Sequence, residues 1–164
     1  MESIGVGVVG CGFVGRGAHV PAFAKMKHAR LVAVADPDSD RLGKVQKKYD
    51  VPATYQDYRQ LIDDPQVQAV VVSLTTALHA EASLADIAAG KHVLCEMPLA
   101  ARLEDVPAMI GAAEQAGVTL MPSLTFHFTP NYVKAKELID QGTLGNALTL
   151  MYREFIPAKD LAMQ

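Results

Sequence analysis

The sequence predicts an α/β domain built on a doubly wound parallel sheet, and three observations carry that expectation. Short runs rich in Val and Ile alternate with longer stretches at helical spacing, the pattern of strands buried on both faces and joined by crossover helices. A glycine-rich loop, Gly10-Cys11-Gly12-Phe13-Val14-Gly15, separates the first apolar run from the first helical stretch. Gly90 and Gly117 stand just after helical patterns and immediately before apolar runs, where a residue able to adopt positive φ ends a helix cheaply.

Taken in order, the strand candidates are Ile4 to Val9, Leu31 to Ala35, Ala69 to Leu74, His92 to Cys95 and Thr119 to Met121, with a short one near Ala53. A helical segment is expected from Phe13 to Met26. Three apolar stripes then mark crossover helices: Leu42, Val45 and Tyr49; Ala77, Ala80, Leu84 and Ile87; Leu103, Val106, Ile110 and Ala113. These elements complete two βαβαβ halves, whose usual strand order is 3-2-1-4-5-6. Beyond them, Pro130 to Gln141 reads as a helix with proline in its first turn, and Ala147 to Phe155 as a strand with no partner left in the sequence. The expected division is residues 1–122 for the nucleotide-binding domain and 123–164 for the crossing segment, helix and first strand of a truncated second domain.

Bulk properties narrow the function. The chain has 164 residues, half of them hydrophobic, enough for one buried core. Its 15 basic and 18 acidic side chains are dispersed, so no footprint for nucleic acid or an anionic membrane is expected, and a small-molecule ligand is. Cys11 and Cys95 match no metal-ligand spacing, so no metal is expected and both thiols read as packing in a reducing compartment. The amino terminus carries no basic n-region, long apolar stretch or small-residue cleavage site, and a cytoplasmic protein is expected.

The glycine loop has a mechanism in this context. Gly10 permits the tight turn, Gly12 lets the backbone approach a pyrophosphate, Gly15 lets helix and strand pack, and N–H groups at the helix start around Phe13 and Val14 face the phosphates. Asp36 ends the second strand 21 residues after Gly15, where a carboxylate accepts bonds from both ribose hydroxyls and repels a 2′-phosphate. NAD is therefore favoured over NADP. The competing reading of Asp36 is a turn or helix-capping residue ahead of Pro37.

Two further segments, Val70-Val71-Val72-Ser73-Leu74-Thr75-Thr76-Ala77-Leu78-His79-Ala80-Glu81 and Ala89-Gly90-Lys91-His92-Val93-Leu94-Cys95-Glu96-Met97-Pro98-Leu99-Ala100, resemble the glucose-fructose oxidoreductase, inositol dehydrogenase and rhizopine-catabolism (Gfo/Idh/MocA) family, as do His19-Val20-Pro21-Ala22 and Tyr132 through Gly145. The resemblance implies an N-terminal Rossmann domain binding NAD, a C-terminal α/β substrate domain that also forms an oligomer interface, and hydride transfer with a sugar-like or other small polar substrate. It adds Ser73, Leu74, Thr75, His79, Glu96, Met97 and Pro98 to the cofactor-facing set. Thr75 or Thr76 reads equally as a helix N-cap, His79 as a structural hydrogen-bonding residue, and His127 as lining a substrate cleft or as a surface residue.

The family's Glu-Lys-Pro tripeptide falls on Glu96-Met97-Pro98, and its lysine usually touches the nicotinamide ribose and the reacting hydroxyl. A methionine neither donates a hydrogen bond nor carries a proton. The family's catalytic Asp and His lie in the second domain and have no counterpart before Gln164, so the catalytic residues are unknown and the fragment alone is expected to be inactive. Alternatives to a dehydrogenase are a non-catalytic NAD-binding sensor and a lyase or hydrolase using tightly held NAD. Met97 reads equally as ordinary packing, and its bond to Pro98 is one that can be cis.

Overall fold

The computed structural model describes residues 3–146 together with Thr149 and Met151. They divide into two compact units, one up to Ser123 and one from Leu124 onward. The first unit holds β1 (Ile4–Val9), α1 (Val20–Phe23), β2 (Ala29–Ala35), α2 (Ser39–Tyr49), β3 (Ala53–Tyr55), α3 (Tyr58–Ile62), β4 (Ala69–Val72), α4 (His79–Ala88), β5 (His92–Cys95), α5 (Asp105–Ala116) and β6 (Leu120–Pro122). All strand pairings are parallel, in the order β3-β2-β1-β4-β5-β6.

Both faces of the sheet are covered, which is why the strands lack polar alternation. One face packs Val9, Val70, Val72 and Val93 with Leu61, Ala82, Ile87 and Ala113 from α3, α4 and α5. The other packs Val6, Val8, Val34 and Val71 with Val20, Leu42 and Val45 from α1 and α2. Gly90 and Gly117 both take positive φ, and Gly117 closes α5 in the left-handed conformation.

Several elements differ from expectation. β4 stops at Val72 rather than Leu74: the Ser73 N–H still donates to Val9 O, but the chain then turns away toward the Thr76–Leu78 3₁₀ turn. The first helical segment ends at Phe23 and contains a π-helical turn over Gly15–His19, closed by the Val20 N–H on Gly15 O. Pro21 accounts for this: it has no N–H to donate, and its ring crowds the carbonyl four residues back, so the chain widens by one residue before resuming an α-turn.

The buried stripe of α4 is His79, Ala82, Ser83, Asp86 and Ile87; of the expected stripe only Ile87 is fully buried, Ala80 and Leu84 are half-buried, and Ala77 is exposed ahead of the helix. Expecting polar side chains outside picked the wrong face. On α5, Met109 and Ala113 are buried, whereas Leu103 lies before the helix and is exposed.

In the second unit, Thr125–Phe128 forms a 3₁₀ turn, Pro130–Asp140 forms α6, and Phe126 stacks on Tyr132 at 4.7 Å. His127 lies exposed in the 3₁₀ turn. The strand expected over Ala147 to Phe155 falls almost wholly outside the described residues.

Candidate functional site

Sheet register places the site. Val9 is paired with Ala35 on one side and Val72 on the other, and Val72 with Cys95. The loops leaving β1, β2, β4 and β5 therefore emerge side by side at one edge. Backbone bonds carry the pairing a step further: the Gly10 N–H donates to Ala35 O at 2.8 Å, and the Glu96 N–H to Val72 O at 2.9 Å. Successive crossovers leave β1 in opposite directions, so a crevice opens there, where doubly wound sheets bind ligands. Two surface hollows of about 460 and 590 Å³ lie elsewhere, one around Pro52, Ala53 and Asp63, the other around Ser3, Ile4 and Arg30, by the strands' amino ends.

The glycines of the loop have different physical reasons. Gly10 holds φ +94°, and a Cβ there would stand 2.1 Å from Ser73 O; a Cβ on Gly15 would meet Gly10 O at 1.8 Å. Both are demanded by the protein's own packing. A Cβ on Gly12 would have nothing within 4 Å, so no neighbour explains that glycine, and its open side forms a cradle that a methyl group would begin to fill. Such a side, beside backbone N–H groups at a helix start, fits a diphosphate.

Asp36 stands one residue past β2, buried to 4% exposure. Its Oδ2 accepts the Cys11 N–H at 2.8 Å and its Oδ1 the Asp38 N–H at 2.9 Å. The carboxylate is thereby turned toward the glycine loop. Arg41, in the first turn of α2, brings Nη1 to 3.7 Å from Asp36 Oδ2 and Nε to 3.2 Å from Asp38 Oδ2. Asp38 also caps α2, accepting the Asp40 and Arg41 N–H groups, and those bonds, Arg41's first, hold its carboxyl below the usual range. Burial, reinforced by Asp36, pushes the Cys11 thiol up to about 12, so it stays protonated and unreactive.

The other expected residues sit on the loops after β4 and β5. Ser73 lies beside Gly10 and Gly15, and its Oγ would be 3.4 Å from a Cβ on Gly15. Thr75 occupies the N-cap position of the Thr76–Leu78 turn yet makes no side-chain capping bond. His79 is almost fully enclosed, with Nδ1 2.7 Å from Pro98 O and Nε2 3.0 Å from Leu74 O. Both partners only accept, so a neutral ring makes one of these bonds at a time and an imidazolium makes both. His79 thus ties the β4 loop to the β5 loop from beneath. The Met97-Pro98 bond is cis. Phe13, Val14, Leu78 and Met97 remain between 39% and 49% exposed around the crevice, an apolar rim on three of its loops.

Sequence reasoning singled out neither Asp86 nor the pairing of His19 with Glu96. His19 Nε2 lies 2.6 Å from Glu96 Oε1, linking the π-turn to the end of β5. The available signal for His19 was its place four residues after Gly15, one turn into the helix that the loop opens. Asp86 is enclosed on α4 with neither carboxyl oxygen hydrogen-bonded, and burial pushes it up to about 8 against the pull of Lys91. Among the described residues, no group of three or more His, Cys, Asp or Glu side chains is arranged to hold a metal ion.

Six parallel strands in this order, a glycine cradle at the switch point and a carboxylate turned toward it define a dinucleotide-binding domain of the Rossmann class. The chain belongs to the Gfo/Idh/MocA family: residues 4–124 match its profile, described as the NAD-binding Rossmann fold of an oxidoreductase family. It is 37% identical over 153 residues to myo-inositol 2-dehydrogenase of Thermotoga maritima, covering 93% of this chain and 46% of that protein.

Among solved structures, it resembles scyllo-inositol dehydrogenase from Lactobacillus casei with bound NAD(H) and scyllo-inositol, with TM-score 0.84 and 26% identity over 88% of this chain and 43% of that one. It also resembles a 3-ketoreductase mutant from Actinomadura kijaniata in complex with TDP-benzene and NADP, with TM-score 0.80 and 29% identity over 88% and 46%. The chain therefore spans less than half the length of these relatives. Among the described residues, no helix is long and apolar enough to cross a membrane.

Proposed function

We propose that this chain is the cofactor half of an NAD-dependent oxidoreductase acting between a hydroxyl and a carbonyl carbon of a sugar-like or polyol substrate. The observation carrying the proposal is the pairing of an unexplained open side at Gly12 with the Asp36 carboxylate bound to the adjacent Cys11 N–H. Phe13, Val14 and the amides beside them would face the diphosphate. Each oxygen of Asp36 keeps accepting capacity for a ribose hydroxyl. Ser73, Leu74, Thr75, Glu96, Met97 and Pro98 would border the nicotinamide end, with His79 supporting them from below.

When bound, the nicotinamide supplies the hydride chemistry, and the protein supplies position, exclusion of water and proton handling. This chain positions. Met97 holds no proton, so the proton of the reacting hydroxyl must be handled elsewhere in the whole protein, whose second domain would carry the substrate residues and an oligomer interface. Asp36 favours NAD, whereas the Arg41 guanidinium beside it offers a 2′-phosphate only a partly neutralised partner.

Titrating the chain with NADH and following nicotinamide fluorescence tests this reading. Saturable binding without turnover is expected; no binding at millimolar NADH would refute it. The exposed thioether of Met97 supports a second reading, a cofactor-binding sensor without catalysis, and the presence or absence of an Asp and His pair in the whole protein separates the two. Turnover without net NADH production would instead mark a lyase or hydrolase.

A further inference from the structure

The geometry points to His19 and Glu96 as positioning residues that fix residue 97 at the crevice, an inference that rests on the cofactor reading above for its functional meaning. The chain of contacts is short. The π-turn that ends just before Pro21 carries His19, whose Nε2 lies 2.6 Å from Glu96 Oε1, and the second oxygen of that carboxylate, Oε2, accepts from the Met97 N–H at 3.3 Å. Both side chains are largely shielded, at 11% and 21% exposure, whereas Met97 stands 49% exposed. A short bond to a carboxylate, sheltered from water, is stronger than an exposed one.

From the other side, His79 Nδ1 reaches Pro98 O. Residue 97 is therefore held between two imidazoles, one acting through Glu96 and one through Pro98. Neither imidazole belongs to the β5 loop: His19 comes from the helix that opens on the glycine cradle, and His79 from the start of α4. The arrangement ties the diphosphate end of the crevice to the place where residue 97 meets the nicotinamide end. Displacing either partner would be felt at both.

The test uses this chain with its methionine methyls labelled with carbon-13, so that Met97 is observed directly and Met109, enclosed in α5, serves as an internal standard. In His19→Ala and Glu96→Ala, the Met97 methyl signal should shift or broaden without cofactor, while Met109 stays in place. NADH affinity should fall about tenfold in each variant, and the double variant should be no worse than either single one. Unchanged Met97 signals and affinity in His19→Ala would overturn the inference, as would losses that multiply in the double variant.

If His19→Ala disturbs Met109 as well, His19→Asn is measured instead. It keeps a polar side chain but falls short of Glu96, so the same two outcomes apply. Because the methyl measurement needs no cofactor, a wild-type chain that fails to bind NADH defeats the proposed function and leaves the effect of His19 on residue 97 separately decided.

Discussion

With one backbone N–H already on each oxygen of Asp36, this carboxylate serves the glycine loop before any ligand arrives. Replacing it with Ser should lower melting temperature by freeing the Cys11 amide, and should shift the ratio of NADH to NADPH affinity toward NADPH by roughly ten- to a hundredfold. Parallel titrations with the two cofactors measure this, the Arg41 Nη1 that faced Asp36 then being available to a 2′-phosphate while its Nε stays on Asp38. Asp86 gives a different prediction at the same scale. Its carboxyl titrates near 3.9 when unfolded and at about 8 when folded. Between those values the folded state holds one more proton, so stability falls as pH rises from about 4 to about 8, by at most ~1.4 kcal/mol per pH unit, and then levels off. Urea unfolding from pH 5 to 9 should show that slope in the wild type and its loss in Asp86→Asn; equal slopes would place the titration elsewhere.

At the scale of elements, the glycine loop and its helix make two glycines separable. Gly15→Ala drives a methyl into the Gly10 carbonyl, a backbone atom that cannot swing aside, and should destabilise the domain by about 2 kcal/mol or more. Gly12→Ala meets nothing, so melting temperature should hold while NADH affinity drops at least about tenfold. Thermal melts and titrations of both variants check this. A second element-scale prediction concerns α3. Leu61 is fully enclosed against β1, so Leu61→Ala should cost about 2–5 kcal/mol in chemical unfolding.

Across the whole molecule, the sheet was legible because each strand is a nearly unbroken apolar run, and the glycine loop because its spacing stands in one short window between an apolar run and a helical stretch, although the packing that demands Gly10 comes from Ser73, far along the chain. β1 and β5 fall where the pattern puts them. What stayed hidden depends on residues far apart in the chain. The π-turn is written locally in Pro21, but its consequence, His19 meeting Glu96 77 positions away, needs the fold. The polar face of α4 was misread because His79 and Asp86 are buried for different reasons, one tying two loops together and the other left without a hydrogen-bond partner. In the whole protein, Met97→Lys should raise dehydrogenase activity toward polyols by about 10² or more if the missing proton carrier limits that chemistry; steady-state kcat for the two forms measures it.

The most direct test is a crystal structure of this chain soaked with NAD. The diphosphate should lie on the open side of Gly12, within hydrogen-bond distance of the amides that begin the first helix, with the adenosine ribose hydroxyls on Asp36. A cofactor bound away from that loop, or a ribose with no contact to Asp36, would contradict it.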